Sequence, residues 1–360
     1  MEIIPSELKS ATCDAEEPSA TSTDNASTPA DTLRAPDGES FPGFPSSWYL
    51  LCTSRALDRG PVGRDLFGTR LVAWRTQTGQ PIVLTGFCSH FGADLGQGEV
   101  RGDRLRCSFH QWEFGGDGRC ERIPGQSEIP SSARQRAWPV AERHGFVFVF
   151  NGARPRFDLP FFFDCDPDQF LPARPFQTVL NCPWFLIGAN AFDMQHFRAA
   201  HDRQLVGTFE VDVPADFARR ATGSFEVAGS GIRDRITRVL AGDRVTMAIT
   251  DWCGNLMFVT ATFRHTTSYG MVITEPLSAD RVCVRVIVFL PRSRGPFGRL
   301  WDPCRRAIRR YFIRKFLSED AFRLNGTKYN PGGLIPCDRH LIEYFRWLAG
   351  LSEARPNADP

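Results

Sequence analysis

The chain has 360 residues, of which 42% are hydrophobic and 23% charged, with a formal net charge of +2. At about 100–200 residues per domain this predicts about two domains, and the ordinary globular composition excludes a collagen-like, coiled-coil or wholly disordered protein. Residues 1–40 hold two basic and nine acidic side chains, so that tail is −7 and the remainder +9; with no dense Lys/Arg stripe among aromatics before residue 290, nucleic-acid binding is not expected.

From Ser6 to about Ser40 the chain is rich in Ser, Thr, Ala, Asp, Glu and Pro, too poor in large apolar residues to offset its ordering entropy, and residues 1–40 are expected to be a disordered tail. Eleven cysteines are too sparse for a disulfide scaffold, and the start (Met1-Glu2-Ile3-Ile4-Pro5) has neither the basic nor the long apolar region of a secretory signal. Reduced thiols and a soluble, cytoplasmic protein are expected. No apolar run approaches the roughly 20 residues that span a bilayer, so membrane contact is not expected.

Order is expected from Phe41, followed by short strands at Leu71–Trp74, Pro81–Leu84 and Gly145–Asn151 that read as a small all-β unit over residues 41–154. Pro155, Pro160, Pro167, Pro172 and Pro175 break any helix and suit an interdomain connection. Residues 155–350 read as a second domain, α+β in class, with residues 351–360 a flexible end. Strands are expected at Ser224–Val239, Val245–Thr250, Leu256–Phe263, Met271–Thr274 and Arg281–Leu290. The last places Val282, Val284, Val286 and Val288 on one face, the period of a half-buried antiparallel strand. Helices are expected at Asn190–Ala200, from about Pro303 to Leu324, and around Leu341, Tyr344, Phe345 and Leu348.

Cys88-Ser-His90 and Cys107-Ser-Phe-His110 are separated by 16 residues. Two thiolates with two imidazoles suit a Rieske centre, in which two Cys hold one iron of a 2Fe-2S cluster and two His hold the other, raising its reduction potential. They also suit a structural zinc ion, although zinc fingers usually close with two His on one helix. The flanks distinguish the two. With Gly92, Gly96, Gly98, Gly102, Trp112, the run Gly115-Gly-Asp-Gly118 and Pro124, the string CSHFGADLGQGEVRGDRLRCSFHQWEFGGDGRCERIPG resembles the Rieske domain of the Rieske non-haem iron oxygenases. Ala93 and Phe109 stand where respiratory Rieske proteins carry a further disulfide, which is therefore not expected, and Gln111 stands where this family often has Gly.

Asn190-Ala-Phe-Asp193-Met-Gln-His196 places Asp193 and His196 three apart on one helical face, and His201 falls five residues on, near where that helix should end. Two His plus a later carboxylate make the facial triad that leaves open positions on Fe(II). Four of the seven histidines thus sit in two complementary iron motifs, while His144, His265 and His340 read as ordinary imidazoles. The resemblance implies that His196 and His201 bind the catalytic iron and that Asn190 lies beside it. It further implies that Asp193 links His196 to a Rieske His of a neighbouring chain. For the third ligand the candidates are Asp302, Glu319, Asp320 and Asp338, and Asp320 matches the family's placement best, Glu319 second.

The resemblance implies a helix-grip (START-like) catalytic domain on an antiparallel sheet after the Rieske domain. It also implies a homotrimer, and electrons from an NAD(P)H-dependent reductase with or without a ferredoxin. The expected reaction is monooxygenation of a hydrophobic aromatic or polycyclic molecule, including arylamine N-oxygenation, as in the branch with aminopyrrolnitrin oxygenase and the ketosteroid hydroxylases. Steroid-type hydroxylation, desaturation, demethylation and cyclisation are alternatives at the same iron; a Rieske electron carrier without catalytic iron and a zinc-stabilised binding module are alternatives of other classes. The basic run from Arg305 to Lys315, interleaved with Ile308, Tyr311, Phe312 and Ile313 and followed by Phe316, is expected to be a solvated helix face whose apolar residues reach the core; docking of an acidic ferredoxin or reductase, or contact with an anionic membrane surface, is the alternative. The cysteines outside the cluster are expected to be buried free thiols.

Overall fold

The computed structural model describes residues 34–353, apart from 202, 230, 232–234, 236–237, 240–241 and 294. Its first half contains β1 (Trp48–Thr53), β2 (Val62–Leu66), β3 (Thr69–Arg75), β4 (Pro81–Thr85), β5 (Glu99–Arg101), β6 (Arg104–Arg106), β7 (Glu113–Phe114), β8 (Cys120–Arg122), β9 (Ala137–Trp138), β10 (Val140–Arg143) and β11 (Phe146–Phe150). They form three small sheets, ordered β1-β11-β10, β2-β3-β4-β9 and β5-β6-β7-β8. In β11 the period of 2 does the work. Phe146, Phe148 and Phe150 enter one apolar cluster, while Val147 and Val149 enter another on the opposite face.

The second half is one eight-stranded sheet containing β12 (Phe170–Pro172), β13 (Phe176–Leu180), β14 (Arg203–Ala215), β15 (Ala218–Val227), β16 (Arg244–Trp252), β17 (Leu256–Phe263), β18 (Thr267–Ser278) and β19 (Arg281–Pro291). Its order is β12-β19-β18-β17-β16-β15-β14, with β13 also on β19, and these pairs are antiparallel. Beside a short α1 (Ser54–Leu57), the helices are α2 (Phe185–Ala189), α3 (Met194–His201), α4 (Gly295–Leu324) and α5 (Arg339–Glu353). Tyr344, Phe345 and Leu348 of α5 pack with Trp184, Phe185 and Phe192 over one face of the sheet.

An ionic strap joins the two halves. Buried Glu275 of β18 receives Arg64 Nη2 of β2 at 2.6 Å and also pairs with Arg285 of β19. Arg64 Nη1 donates to the Leu50 and Leu51 carbonyls at 2.7 and 2.6 Å, tying β1 into the same knot.

Several expectations are corrected. Strand β19 is antiparallel with the expected alternation, but it is buried on both faces rather than one: Val282, Val284, Val286 and Val288 face the helices, while Ile287 and Phe289 meet Phe161, Phe162 and Phe170. The strand expected over Ser224–Val239 ends at Val227, and Arg238 and Val239 are helical. Helix α4 starts at Gly295 and carries Pro303 inside it. Of the apolar residues in the basic run, Ile313 packs on the core, whereas Ile308, Tyr311 and Phe312 are exposed.

Cys304 and Cys337 are exposed rather than buried. Residues 34–40 do not behave as a free tail: Arg346 Nε donates to the Arg34 carbonyl at 2.8 Å and Tyr329 Oη to that of Pro36 at 2.7 Å, beside Phe41 stacked on Phe185. The rest of the tail, residues 1–33, and residues 354–360 lie outside the described residues.

Candidate metal centres

Two loops of similar shape carry the first cluster. In each, the Cys amide donates to the carbonyl five residues on, Cys88 to Ala93 and Cys107 to Trp112, both at 2.8 Å. Each loop also turns through a left-handed residue four places after its Cys: Gly92 at φ +80° and Gln111 at φ +58°. The first loop satisfies that geometry with glycine, while the second imposes it on a residue with a Cβ. This accounts for the glycine that the family often has at the second position.

The loops bring Cys88 and Cys107 into a buried cluster with Leu95, Leu105 and Phe114, while His90 and His110 stand exposed with ring centroids 4.5 Å apart. Trp112 stacks on His90 at 4.4 Å with 7° between the planes. Thiols inside and imidazoles at the surface fit a cluster with one iron on each pair, and they put the imidazole side where an electron can leave. Burial pushes the Cys88 thiol up to about 11, and the charge of a bound metal would favour its thiolate.

The second group is built by α3 and α4. Asp193 does not lie on a continuous helical face with His196, as its spacing suggests; it sits at a break, with φ −96° and ψ 99°, between a 3-10 turn over Asn190–Phe192 and the start of α3. There its Oδ1 accepts the His196 backbone N–H at 3.0 Å, an N-cap interaction that sets where α3 begins. Helix α3 ends on His201, as its position predicts.

Asp320 arrives from α4, and its Oδ1 lies 3.0 Å from His196 Nε2 and 2.7 Å from His201 Nε2. Donor atoms of all three side chains lie within 4.8 Å of one another. One carboxylate oxygen shared by two imidazole nitrogens is the arrangement a cation would complete, and the donor set is that of Fe(II) with open positions. Burial pushes the Asp320 carboxyl up, but hydrogen bonds and charge from His196 and His201 outweigh it and hold it below the usual carboxylate range.

Of the other candidate ligands, Glu319 Oε2 lies 3.8 Å from His201 Nδ1 and belongs to the surroundings of the site. Asp302 accepts from Ser293 and Arg305, and Asp338 from Gln195. Asn190, His196, His201 and Asp320 line a cavity of about 280 Å³ walled by Ile187, Met247, Met257, Val259, Val272, Val284 and Val286. Phe316 was not expected at the site. Its ring stacks on His201, and the available signal was its place four residues before Asp320, on the same side of one helix.

Comparison with known proteins agrees with this geometry. Residues 47–133 match the model of the Rieske [2Fe-2S] domain. The chain is 32% identical over 185 residues to the oxygenase component of 3-ketosteroid-9-alpha-monooxygenase from Rhodococcus rhodochrous, covering 49% of this chain and 47% of that protein. It is 34% identical over 167 residues to the aminopyrrolnitrin oxygenase PrnD of Pseudomonas fluorescens, covering 43% and 46%. The alignments span less than half the length of these relatives. Among solved structures, dicamba monooxygenase bound to 3,6-dichlorosalicylic acid superposes with a TM-score of 0.65 at 22% identity, covering 86% of this chain and 98% of that one. That likeness establishes a shared fold. No described helix is long and apolar enough to cross a membrane.

Proposed function

We propose, for a chain that carries a Rieske [2Fe-2S] domain on the fold of the Rieske oxygenases, that it monooxygenates a hydrophobic aromatic or polycyclic small molecule, arylamine N-oxygenation being one form of that reaction. The observation that carries this reading is the placement of Asp320 between His196 and His201 at the head of an apolar cavity. In this reading Cys88, His90, Cys107 and His110 hold the 2Fe-2S cluster, and His196, His201 and Asp320 hold a mononuclear iron. That iron, when bound, supplies O2 activation.

The chain's own residues do the rest. The valines and methionines of the cavity exclude water and hold an apolar substrate by desolvation, and Asn190, a polar side chain in the same lining, can orient it. Asp193 fixes the backbone of His196 and, in a proposed homotrimer, accepts a hydrogen bond from a Rieske imidazole of the next chain. Electrons come from an NAD(P)H-dependent reductase, directly or through a ferredoxin; the relatives' designation as oxygenase components supports a separate donor. We place the protein in the cytoplasm.

A second reading, hydroxylation of a steroid-type substrate, is favoured by the similarity to the 3-ketosteroid enzyme. Substrate-dependent oxygen uptake tests both readings, with a reductase and parallel panels of arylamines and ketosteroids. Coupled uptake with an arylamine and oxygenated product supports the first. Coupled uptake with ketosteroids alone supports the second, and none with either panel, in protein of full metal content, rejects both.

A further inference from the structure

We propose that the outer face of α4 lies on an anionic membrane surface. The inner face of this helix is accounted for: Ile313, Leu317, Ala321 and Leu324 pack on the core, and Phe316 and Asp320 enter the metal site. The outer face is not. Phe297, Leu300, Trp301, Ile308 and Tyr311 are 83%, 76%, 64%, 59% and 66% exposed. Positions 297, 301, 304, 308 and 311 follow alternating steps of four and three, so Phe297, Trp301, Cys304, Ile308 and Tyr311 form one continuous stripe about 20 Å long. Single exposed apolar residues are ordinary, whereas a contiguous patch of this kind marks a surface that something covers.

Charge selects the occupant. From Gly295 to Ser318 the helix carries Arg299, Arg305, Arg306, Arg309, Arg310, Arg314 and Lys315 against one acid, Asp302. Asp302 is buried and already engaged by Ser293 and Arg305. Arg306, Arg309 and Arg310 are half-buried and turn toward the sheet, donating to the Pro172 carbonyl, the Ser268 and Thr266 hydroxyls and the Arg174 carbonyl, which leaves Arg299, Arg305, Arg314 and Lys315 as the exposed cations of this stretch. A protein partner is generally met by charges of both signs around an apolar centre. Here a single convex helix presents Trp, Tyr and aliphatic side chains bordered by one sign of charge, the pattern of a helix lying in a lipid headgroup layer.

The cavity adds a reason for such docking. Its exposed lining residues are Gln177 and Thr178 of β13 and Arg314 and Ser318 of α4, so its mouth opens beside the same helix. An apolar substrate dissolved in the bilayer then reaches the site without crossing water. The docking itself does not depend on which reaction the site performs.

The test is flotation of the full-length, metal-loaded chain with phosphatidylcholine vesicles made with and without phosphatidylglycerol. The expected result is flotation with the anionic vesicles alone, weakened by salt, with partitioning lowered about fivefold for each cation removed in Arg299→Gln and Lys315→Gln. Trp301→Glu with Ile308→Glu abolishes it. All four side chains are exposed, and an unchanged visible cluster spectrum verifies that the variants fold. Failure of the wild-type chain to float, or equal flotation of the Trp301/Ile308 variant, overturns the proposal. So does a wild-type chain that does not float while that variant loses oligomeric mass or electron uptake from a reductase, which assigns the face to a protein.

Discussion

The imidazole of His201 stacks on the ring of Phe316 at 4.1 Å, with 16° between their planes. The last residue of α3 is thereby fixed to the helix that supplies Asp320, four residues further on. Two proposed ligands from distant parts of the sequence, His201 and Asp320, are held in register by an apolar contact. Phe316→Ala removes it and frees the imidazole to rotate. We expect affinity for the mononuclear iron to fall about 10- to 100-fold, the usual cost of losing support behind a ligand, with the 2Fe-2S cluster intact. Iron retained against graded chelator, read beside the cluster's visible absorbance, checks this; equal retention contradicts it.

Gln111 adopts the left-handed conformation that Gly92 adopts in the paired loop. Gln111→Gly relieves the Cβ penalty there, so the variant should be as stable as the parent or more so, by up to about 1 kcal/mol. Thermal melting followed through the cluster's colour measures it. A lower melting temperature would mean that the Gln111 side chain has a role of its own.

Arg64 links Glu275 of the large sheet to the Leu50 and Leu51 carbonyls of β1. Burial pushes the Arg64 guanidinium down and Glu275 raises it, so the cation depends on this partner. Arg64→Ala leaves Glu275 with Arg285 as its remaining partner and removes one hydrogen bond from each of the two carbonyls. We expect a loss of about 3 kcal/mol, measured by guanidinium denaturation. The triple variant Arg64→Met, Glu275→Met, Arg285→Met should recover part of it, since the whole charge knot is then removed and none of its charges is left without a counterpart.

Asp251 is fully buried beside Tyr344 and Gly254, and burial raises its carboxyl to about 7 against stabilising hydrogen bonds from both. In the unfolded chain it ionises near 4, so between about pH 4 and 7 the folded state holds the extra proton. Its contribution to stability is therefore full below pH 4 and is lost as pH rises through 7, by on the order of 4 kcal/mol. Asp251→Asn removes this dependence: relative to the parent, the variant should gain stability as pH rises from 4 to 7. Denaturation midpoints of the two proteins across that range test it, and parallel curves would refute it.

Some features were legible in the sequence and others were not, for identifiable physical reasons. Metal-site chemistry favours fixed residue types at short spacing, so the two groups that the structure brings together, Cys88, His90, Cys107 and His110, and His196 with His201, could be read as candidates directly, and apolar runs marked β3, β4, β11 and β15 to β19 but not β12 to β14 or the short strands around the Cys/His loops. The burial of both faces of β19 was not readable, because one face meets linker aromatics such as Phe161 and Phe162 that are remote in sequence. Nor was the break at Asp193, where a side-chain cap competes with helical continuation. In α4 both faces carry apolar residues, so periodicity predicts the helix but cannot say that Ile313 and Phe316 turn inward while Ile308 and Tyr311 turn out.

The most direct test of the account is the iron, acid-labile sulfide and zinc content of anaerobically purified wild type and Asp320→Ala. The account predicts about three irons and two sulfides per chain in the wild type, and about two of each in the variant, whose cluster spectrum is unchanged. Zinc without sulfide, or a variant that keeps all three irons, would contradict it.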